Sequence, residues 1–269
     1  MDAPIAAPPD PPRRVELLGA TMDLVTPRQV LARVASAAGG GPRALIANHN
    51  LHSLYLIGRQ REMAALYARA DLIEVDSRPV VAWGRLLGLP LSGAHRCTYL
   101  DWREAFWRLA DAGGWRVFYL GGAPGVAEAA ARRLGARWPG AKIAVRHGYF
   151  DRSPGSAEAA AALDAINAFA PQVLLVGMGM PIQEIWTLRN YDALNARAVL
   201  TVGAAFDYEA GVQTAAPRLL GALGLEWLFR LLHDPRRLFV RYLIEPWSLV
   251  GPALDDLVRY RLSAGRRPT

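Results

Sequence analysis

The chain has 269 residues, 52% hydrophobic and 20% charged, with 31 basic residues against 24 acidic and a formal net charge of +7. That composition excludes a disordered chain and a small disulfide-stapled scaffold, and the length admits one large domain or a domain with an appendage. The longest apolar runs, such as 173–182, fall short of the roughly 20 residues a membrane span needs, and the single Cys97 suits a reducing, intracellular compartment.

Residues 1–14 read as a flexible Pro-rich leader, and 1–12 carries neither the basic start nor the apolar run of a secretory signal. Short apolar runs at 43–47, 72–76, 115–120, 143–146, 173–176 and 198–202 then read as buried strands. Alanine-rich segments at 62–70, 102–112, 126–138, 156–169 and 181–194 read as the helices between them. This alternation predicts an α/β fold, a mainly parallel sheet with helices on both faces.

From residue 217 the pattern changes. Segments 217–232 and 235–244 are strongly apolar, broken by Asp234-Pro235, and are followed by Pro246, Pro252 and a basic stretch to Arg261. They predict a helical appendage over 217–269, after a sheet domain over 15–216. Residues 216–269 hold nine arginines against five acids, so a fifth of the chain carries over half of the net charge. Two readings fit: packing helices with solvated arginines, or helices lying on an anionic membrane surface. All basic residues but Lys142 are arginine; the guanidinium fork suits phosphate, and genome composition accounts for the bias equally well.

In an open parallel sheet, ligands bind beyond the carboxyl ends of the strands, so the residues after each strand carry the chemistry. After 115–120 come Gly121-Gly122-Ala123-Pro124-Gly125, and after 173–176 come Gly177-Met178-Gly179-Met180-Pro181, with Gln183 and Glu184 just inside a helix. Glycines at such a turn let backbone N–H groups approach an anion, although neither run has dinucleotide or P-loop spacing and tight-turn geometry alone explains each. Asp76 ends a strand, where a carboxylate can act as a general base or cap the helix predicted over 79–87. Asn48-His49-Asn50-Leu51-His52 ends another; the His49/His52 spacing lacks a third metal ligand, and neither a bound metal nor a cofactor is expected. Without an Asp-x-Asp pair to hold a divalent ion, a leaving diphosphate falls to arginines and helix N-termini. No serine-hydrolase elbow and no nucleic-acid motif is present.

Taken in order, these motifs resemble the WecG/TagA/CpsF family of bacterial glycosyltransferases, glycosyltransferase family 26. The resemblance runs from about Asn48 to Arg241. It includes Asn48-His49-Asn50, Asp76, His95-Arg96, the run Phe118–Gly125, Gly148-Tyr149-Phe150, the run Gly177–Glu184, Val202–Asp207, Gly224–Arg230 and Asp234–Arg237 with Arg241-Tyr242. It implies a Rossmann-like core and a C-terminal appendage that binds at the membrane and completes the site. It also implies inverting, metal-independent transfer of a sugar from a UDP-sugar to a polyprenyl-diphosphate-linked saccharide. The family's base maps onto Asp76. Its polar substrate pair maps onto Asn48 and Asn50, its motif glutamine onto Gln183, a further arginine onto Arg96, and its appendage arginines onto Arg230, Arg237 and Arg241.

The chain departs from the pattern at Asp76-Ser77, where Asp-Gly is usual, at Asn48, where Thr is usual, and at Ala215-Ala216-Pro217, where Arg-Ala-Pro is usual. With His95–Trp102, these departures resemble the exopolysaccharide branch more than the teichoic-acid branch. The implied donor is then a hexose such as glucose, or N-acetylmannosamine. In the resulting expectation Asp76 removes the acceptor proton, while Arg237 and Arg241, with Arg230, receive the diphosphate. Gly121, Gly122, Gly177 and Gly179 position the nucleotide, and Asn48, Asn50, Arg96, Gln183 and Glu184 orient the substrates. Gln183 can equally be a helix-start hydrogen-bonder. The expected setting is the cytoplasmic membrane face, with peripheral attachment, no nucleic acid, and a homo-oligomer left open. A nicotinamide-dependent oxidoreductase and a non-catalytic nucleotide- or glycolipid-binding partner are the rival readings.

Overall fold

The computed structural model describes residues 12–213, 226–233 and 235–262. It opens with an antiparallel hairpin, β1 (Arg13–Leu17) and β2 (Ala20–Leu24). Its two-residue turn, Leu18-Gly19, has positive φ at both positions, 53° and 73°, the turn geometry that matches strand twist. Arg14 faces Asp23 across the hairpin and donates to both carboxylate oxygens at 2.8 and 2.9 Å. Arg13 and Arg14 therefore belong to a strand, which shortens the expected 1–14 leader at its end; residues 1–11 lie outside the described residues.

Helix α1 (Pro27–Ala38) starts with a Thr26 capping box and a proline in its first turn. The main sheet follows: β3 (Ala44–His49), β4 (Leu72–Val75), β5 (Arg116–Gly121), β6 (Lys142–Arg146), β7 (Val173–Gly177) and β8 (Ala198–Thr201). All its pairings are parallel, in the order β4-β3-β8-β7-β5-β6. The connecting helices are α2 (Leu51–Ile57), α3 (Arg61–Arg69), α4 (Arg78–Leu86), α5 (Tyr99–Ala112), α6 (Val126–Arg137), α7 (Ala157–Phe169), α8 (Ile182–Asn190) and α9 (Ala205–Glu209).

Strand residues alternate between two cores, as the period-2 pleat requires. Leu45, Ala47, Ile73, Leu120, Leu174 and Val176 pack beneath α2, α3, α4, α7 and α8. Ile46, Leu72, Val117, Tyr119, Leu175 and Leu200 pack beneath α1, α5, α6 and α9. Both faces are covered, which is why the strands read as continuous apolar runs.

Strand order fixes where a ligand can enter. The chain leaves β5 toward β6 in one direction and leaves β7 toward β8 in the other, so their carboxyl ends form a switch point. Helices α6 and α8 lie on opposite faces there.

The tail is helical: α10 (Glu226–His233), α11 (Pro235–Phe239) running into a π-helical turn over Val240–Ile244, a 3-10 turn over Glu245–Leu249, and α12 (Val250–Leu257) continuing to Leu262. It is docked rather than detached. Leu249 enters the core on the α2 side, Tyr260 donates to the Glu16 carbonyl at 2.7 Å, and Arg261 to the Leu86 carbonyl at 2.7 Å. Of the expected helix over 217–232, residues 217–225 lie outside the described residues.

Candidate active site

The carboxyl edge of the sheet gathers most of the expected site residues. Asp76 follows the last residue of β4, and its N–H donates to the His49 carbonyl at 2.7 Å, binding the ends of β3 and β4 together. The side chain is half-buried. Sequence reasoning left it a choice between base and helix cap. The structure assigns the cap of α4 to Ser77, whose hydroxyl accepts from Val80 N–H at 3.4 Å.

Two residues earlier, Glu74 is buried on the α5 side, and burial, reinforced by the nearby Asp76 charge, pushes its carboxyl well above the usual range. Cys97 N–H donates to the Val75 carbonyl at 2.8 Å, which brings Arg96 alongside this strand end. There its Nε lies 3.4 Å from Asp101.

Asn48 is the penultimate residue of β3 and sits directly across from Glu74 in the parallel register. Its amide donates to the Thr201 carbonyl at 3.3 Å, while its own side-chain oxygen is buried without a hydrogen-bond partner among the described residues. Asn50 caps α2, accepting from Ser53 N–H at 3.0 Å, so part of its polar capacity is structural. The histidines between them diverge. His49 is buried and stacked on Tyr67 with ring centroids 4.0 Å apart, its Nδ1 2.9 Å from the Ser53 hydroxyl; burial lowers its pKa to about 3. His52 turns instead toward the tail, its Nδ1 2.6 Å from Glu245 Oε2.

The two glycine runs meet. Gly121 and Gly177 are partners in the β5–β7 register, and a Cβ on Gly121 would lie 2.3 Å from the Gly177 carbonyl oxygen. A Cβ on Gly177 would lie 2.3 Å from the Tyr119 hydroxyl and 2.4 Å from the Gly203 carbonyl oxygen. Close backbone packing alone thus demands glycine at both positions. Gly122 and Gly179 adopt φ of 69° and 80°, the left-handed region open to glycine.

Gln183 and Glu184 have buried side chains. Gln183 is 1% exposed. Its Oε1 accepts from Gly179 N–H at 3.2 Å and Gly203 N–H at 3.1 Å, and its Nε2 donates to Glu184 at 2.7 Å. It ties the loops after β7 and β8 together, the helix-start alternative seen in the sequence. Glu184 is fully buried, and burial raises its pKa to about 7. Its carboxylate accepts from Gln183 and so holds that side chain in place.

Arg241, on the turn after α11, is half-buried, and its charge acts on His52, two residues beyond Asn50. The tail thus carries a positive charge within electrostatic reach of the first turn of α2. The side chains of Arg230 and Arg237 lie outside the described residues. Two further residues at this edge were not singled out from sequence as site residues. The Asp207 carboxylate on α9 lies 3.6 Å from where a Cβ on Gly122 would sit. Tyr149 is 71% exposed, next to Gly148, whose N–H donates to the Gly122 carbonyl at 3.0 Å. Both lie in runs that carry the family resemblance, Val202–Asp207 and Gly148-Tyr149-Phe150, without a role attached to them there.

Comparison with known proteins identifies a family. The model of the glycosyl transferase WecG/TagA/CpsF family matches residues 15–263. Curated relatives from Staphylococcus aureus strains MRSA252 and MW2 are each called N-acetylglucosaminyldiphosphoundecaprenol N-acetyl-beta-D-mannosaminyltransferase. Each is 27% identical over 235 residues, covering 84% of this chain and 87% of the relative.

Proposed function

The chain belongs to the glycosyl transferase WecG/TagA/CpsF family, and on that premise we propose that it moves a hexose or N-acetylhexosamine from a UDP-sugar to a polyprenyl-diphosphate-linked saccharide, with inversion. The observation that carries this reading is the placement of Asp76. It stands at the carboxyl edge of the sheet beside Asn48 and Arg96, while Ser77 supplies the cap of α4. The Asp76 carboxylate takes the proton from an acceptor hydroxyl. The freed oxygen lone pair attacks the anomeric carbon from the face opposite the nucleotide, and the bond from that carbon to the diphosphate oxygen breaks. The negative charge released on the diphosphate is met by Arg241, with Arg237 and Arg230 from the same tail. The glycine turns of β5 and β7 admit the nucleotide at the switch point, and Asp207 is suited to accept from ribose hydroxyls.

The relatives' printed names support a lipid-linked diphosphate acceptor. The sugar is proposed only as far as the hexose class, in polysaccharide assembly of the exopolysaccharide type. Because the acceptor is anchored in lipid, the reading places the enzyme on the inner face of the cell membrane. No described helix is long and apolar enough to cross a membrane. Attachment would then come from the tail, where Phe239, Val240, Ile244, Trp247, Leu254 and Val258 are exposed and Arg236 and Arg259 are interleaved, the composition of an interfacial surface.

The test is transfer from a panel of UDP-hexoses to short-chain polyprenyl-diphosphate sugars. Asp76→Asn is expected to lower kcat by about 10²–10⁴ while UDP binding persists. Full activity in Asp76→Asn and Asp76→Ala would eliminate this base.

A further inference from the structure

Two buried acids of the tail reach across to the sheet domain. Asp256 accepts from Leu18 N–H at 2.8 Å and from the Trp83 indole N–H at 3.0 Å. Glu245 lies 2.6 Å from His52 Nδ1. Each acid holds a helix that begins at the candidate site: Trp83 is on α4, which follows Asp76, and His52 is in the first turn of α2, which Asn50 caps.

The two anchors differ in what accompanies them. Arg241 precedes Glu245 by four residues, about one turn along the same segment, and lies close enough for its charge to act on His52. Glu245 opposes that effect, and the Tyr55 ring lies parallel to the imidazole at 6.5 Å. The Arg59 guanidinium lies over the same Tyr55 ring, 3.9 Å from its centroid. The 3-10 turn over Glu245–Leu249 packs directly on α2, and Leu249 is buried beside it. A guanidinium on a long side chain loses much conformational freedom when it must meet a ligand; fixing its backbone beforehand removes part of that cost.

We propose that His52 and Glu245 are positioning residues that seat Arg241 beside the first turn of α2, the helix that follows β3, where it meets a nucleoside diphosphate. The inference rests on the assignment of Arg241 to the diphosphate in the proposed function. It gives His52 a role that neither metal binding nor packing supplies, and it makes the tail's docking a condition of ligand binding.

The experiment is calorimetric titration of UDP into the full chain and its variants. His52→Phe and Glu245→Ala are each expected to weaken UDP binding about tenfold. Neither is expected to add to the loss in Arg241→Ala, because all three act through one guanidinium. His52→Asn places an amide nitrogen where Nδ1 stands and is expected to restore wild-type affinity. Trp83→Phe, which releases the other anchor, is expected to lower the melting temperature without changing UDP affinity. Unchanged affinity in His52→Phe overturns the proposal, as does full additivity with Arg241→Ala or an equal loss in Trp83→Phe. Wild-type protein that binds UDP in this pattern but transfers no sugar defeats the proposed transfer reaction and leaves the positioning role standing. Wild-type protein that binds no UDP overturns the assignment of Arg241 and the positioning role with it.

Discussion

At the scale of single residues, the polar groups beneath the site set the pH response of the fold. His49 is lowered to about 3 by burial, so the unfolded chain binds its proton first. The stability it contributes is complete above about 6.5 and is lost as pH falls from there toward 3. Glu184 is raised to about 7 by burial, so its contribution is complete below about 4.5 and is lost as pH rises from 4.5 to 7. Between 4.5 and 6.5 the two slopes oppose each other. Glu74 is raised in the same direction by burial and adds a second falling slope, so Glu184→Gln is expected to make the fall of stability with pH shallower through that window. It should also recover roughly 3 kcal/mol at pH 8 relative to pH 4, the worth of a 2.5-unit displacement. Urea midpoints at successive pH values check this, and an unchanged profile would mean that the carboxyl is solvated. The sequence marked Asp76, Asn48 and Asn50 because polar residues directly after apolar strands stand out. It could not mark Glu184 as buried, because a glutamate one residue after a glutamine at a helix start looks like a solvated first turn.

At the scale of elements, caps and glycines carry separable costs. Ser77 holds the N-terminus of α4, so Ser77→Ala is expected to cost about 1 kcal/mol of stability, whereas Asp76→Ala should not lose that capping bond. Equilibrium unfolding distinguishes the two, and a larger loss in Asp76→Ala would return the cap to the aspartate. The glycines divide in the same way. Gly177→Ala drives a methyl into Tyr119 and the Gly203 carbonyl and is expected to cost about 1–3 kcal/mol or more. Gly179→Ala meets no atom within 4 Å and pays only for its positive φ, about 1 kcal/mol. All six strands of the main sheet were legible from apolar runs, as were α3 and α5 to α8 from helical periodicity. The β1–β2 hairpin was not, because its first strand opens with two arginines and its turn is Leu-Gly rather than Asn-Gly. Helix α2 was hidden as well: it spans seven residues and begins inside the polar run that looked like a ligand loop.

At the scale of the whole molecule, the tail has two faces. One is fastened through Glu245, Leu249 and Asp256; the other leaves Trp247 75% exposed among further apolar side chains. Trp247→Ala combined with Ile244→Ala is expected to weaken sedimentation with anionic phospholipid vesicles about tenfold or more, given roughly 1.5–3 kcal/mol for each large apolar side chain withdrawn from water. Unchanged binding would show that this face packs elsewhere. The sequence by itself determined the α/β class, the positions of the sheet strands, the family resemblance, and the concentration of arginine in the last fifth of the chain. These are local properties, written in periodicity and composition. The tertiary structure alone decided that the two glycine runs are register partners at the switch point, that Glu184 faces inward, and that His52 meets Glu245 across 193 residues of sequence. Such pairings leave no local signature, because any histidine and any glutamate are chemically able to pair. Only strand order and the docking of the tail bring these two together.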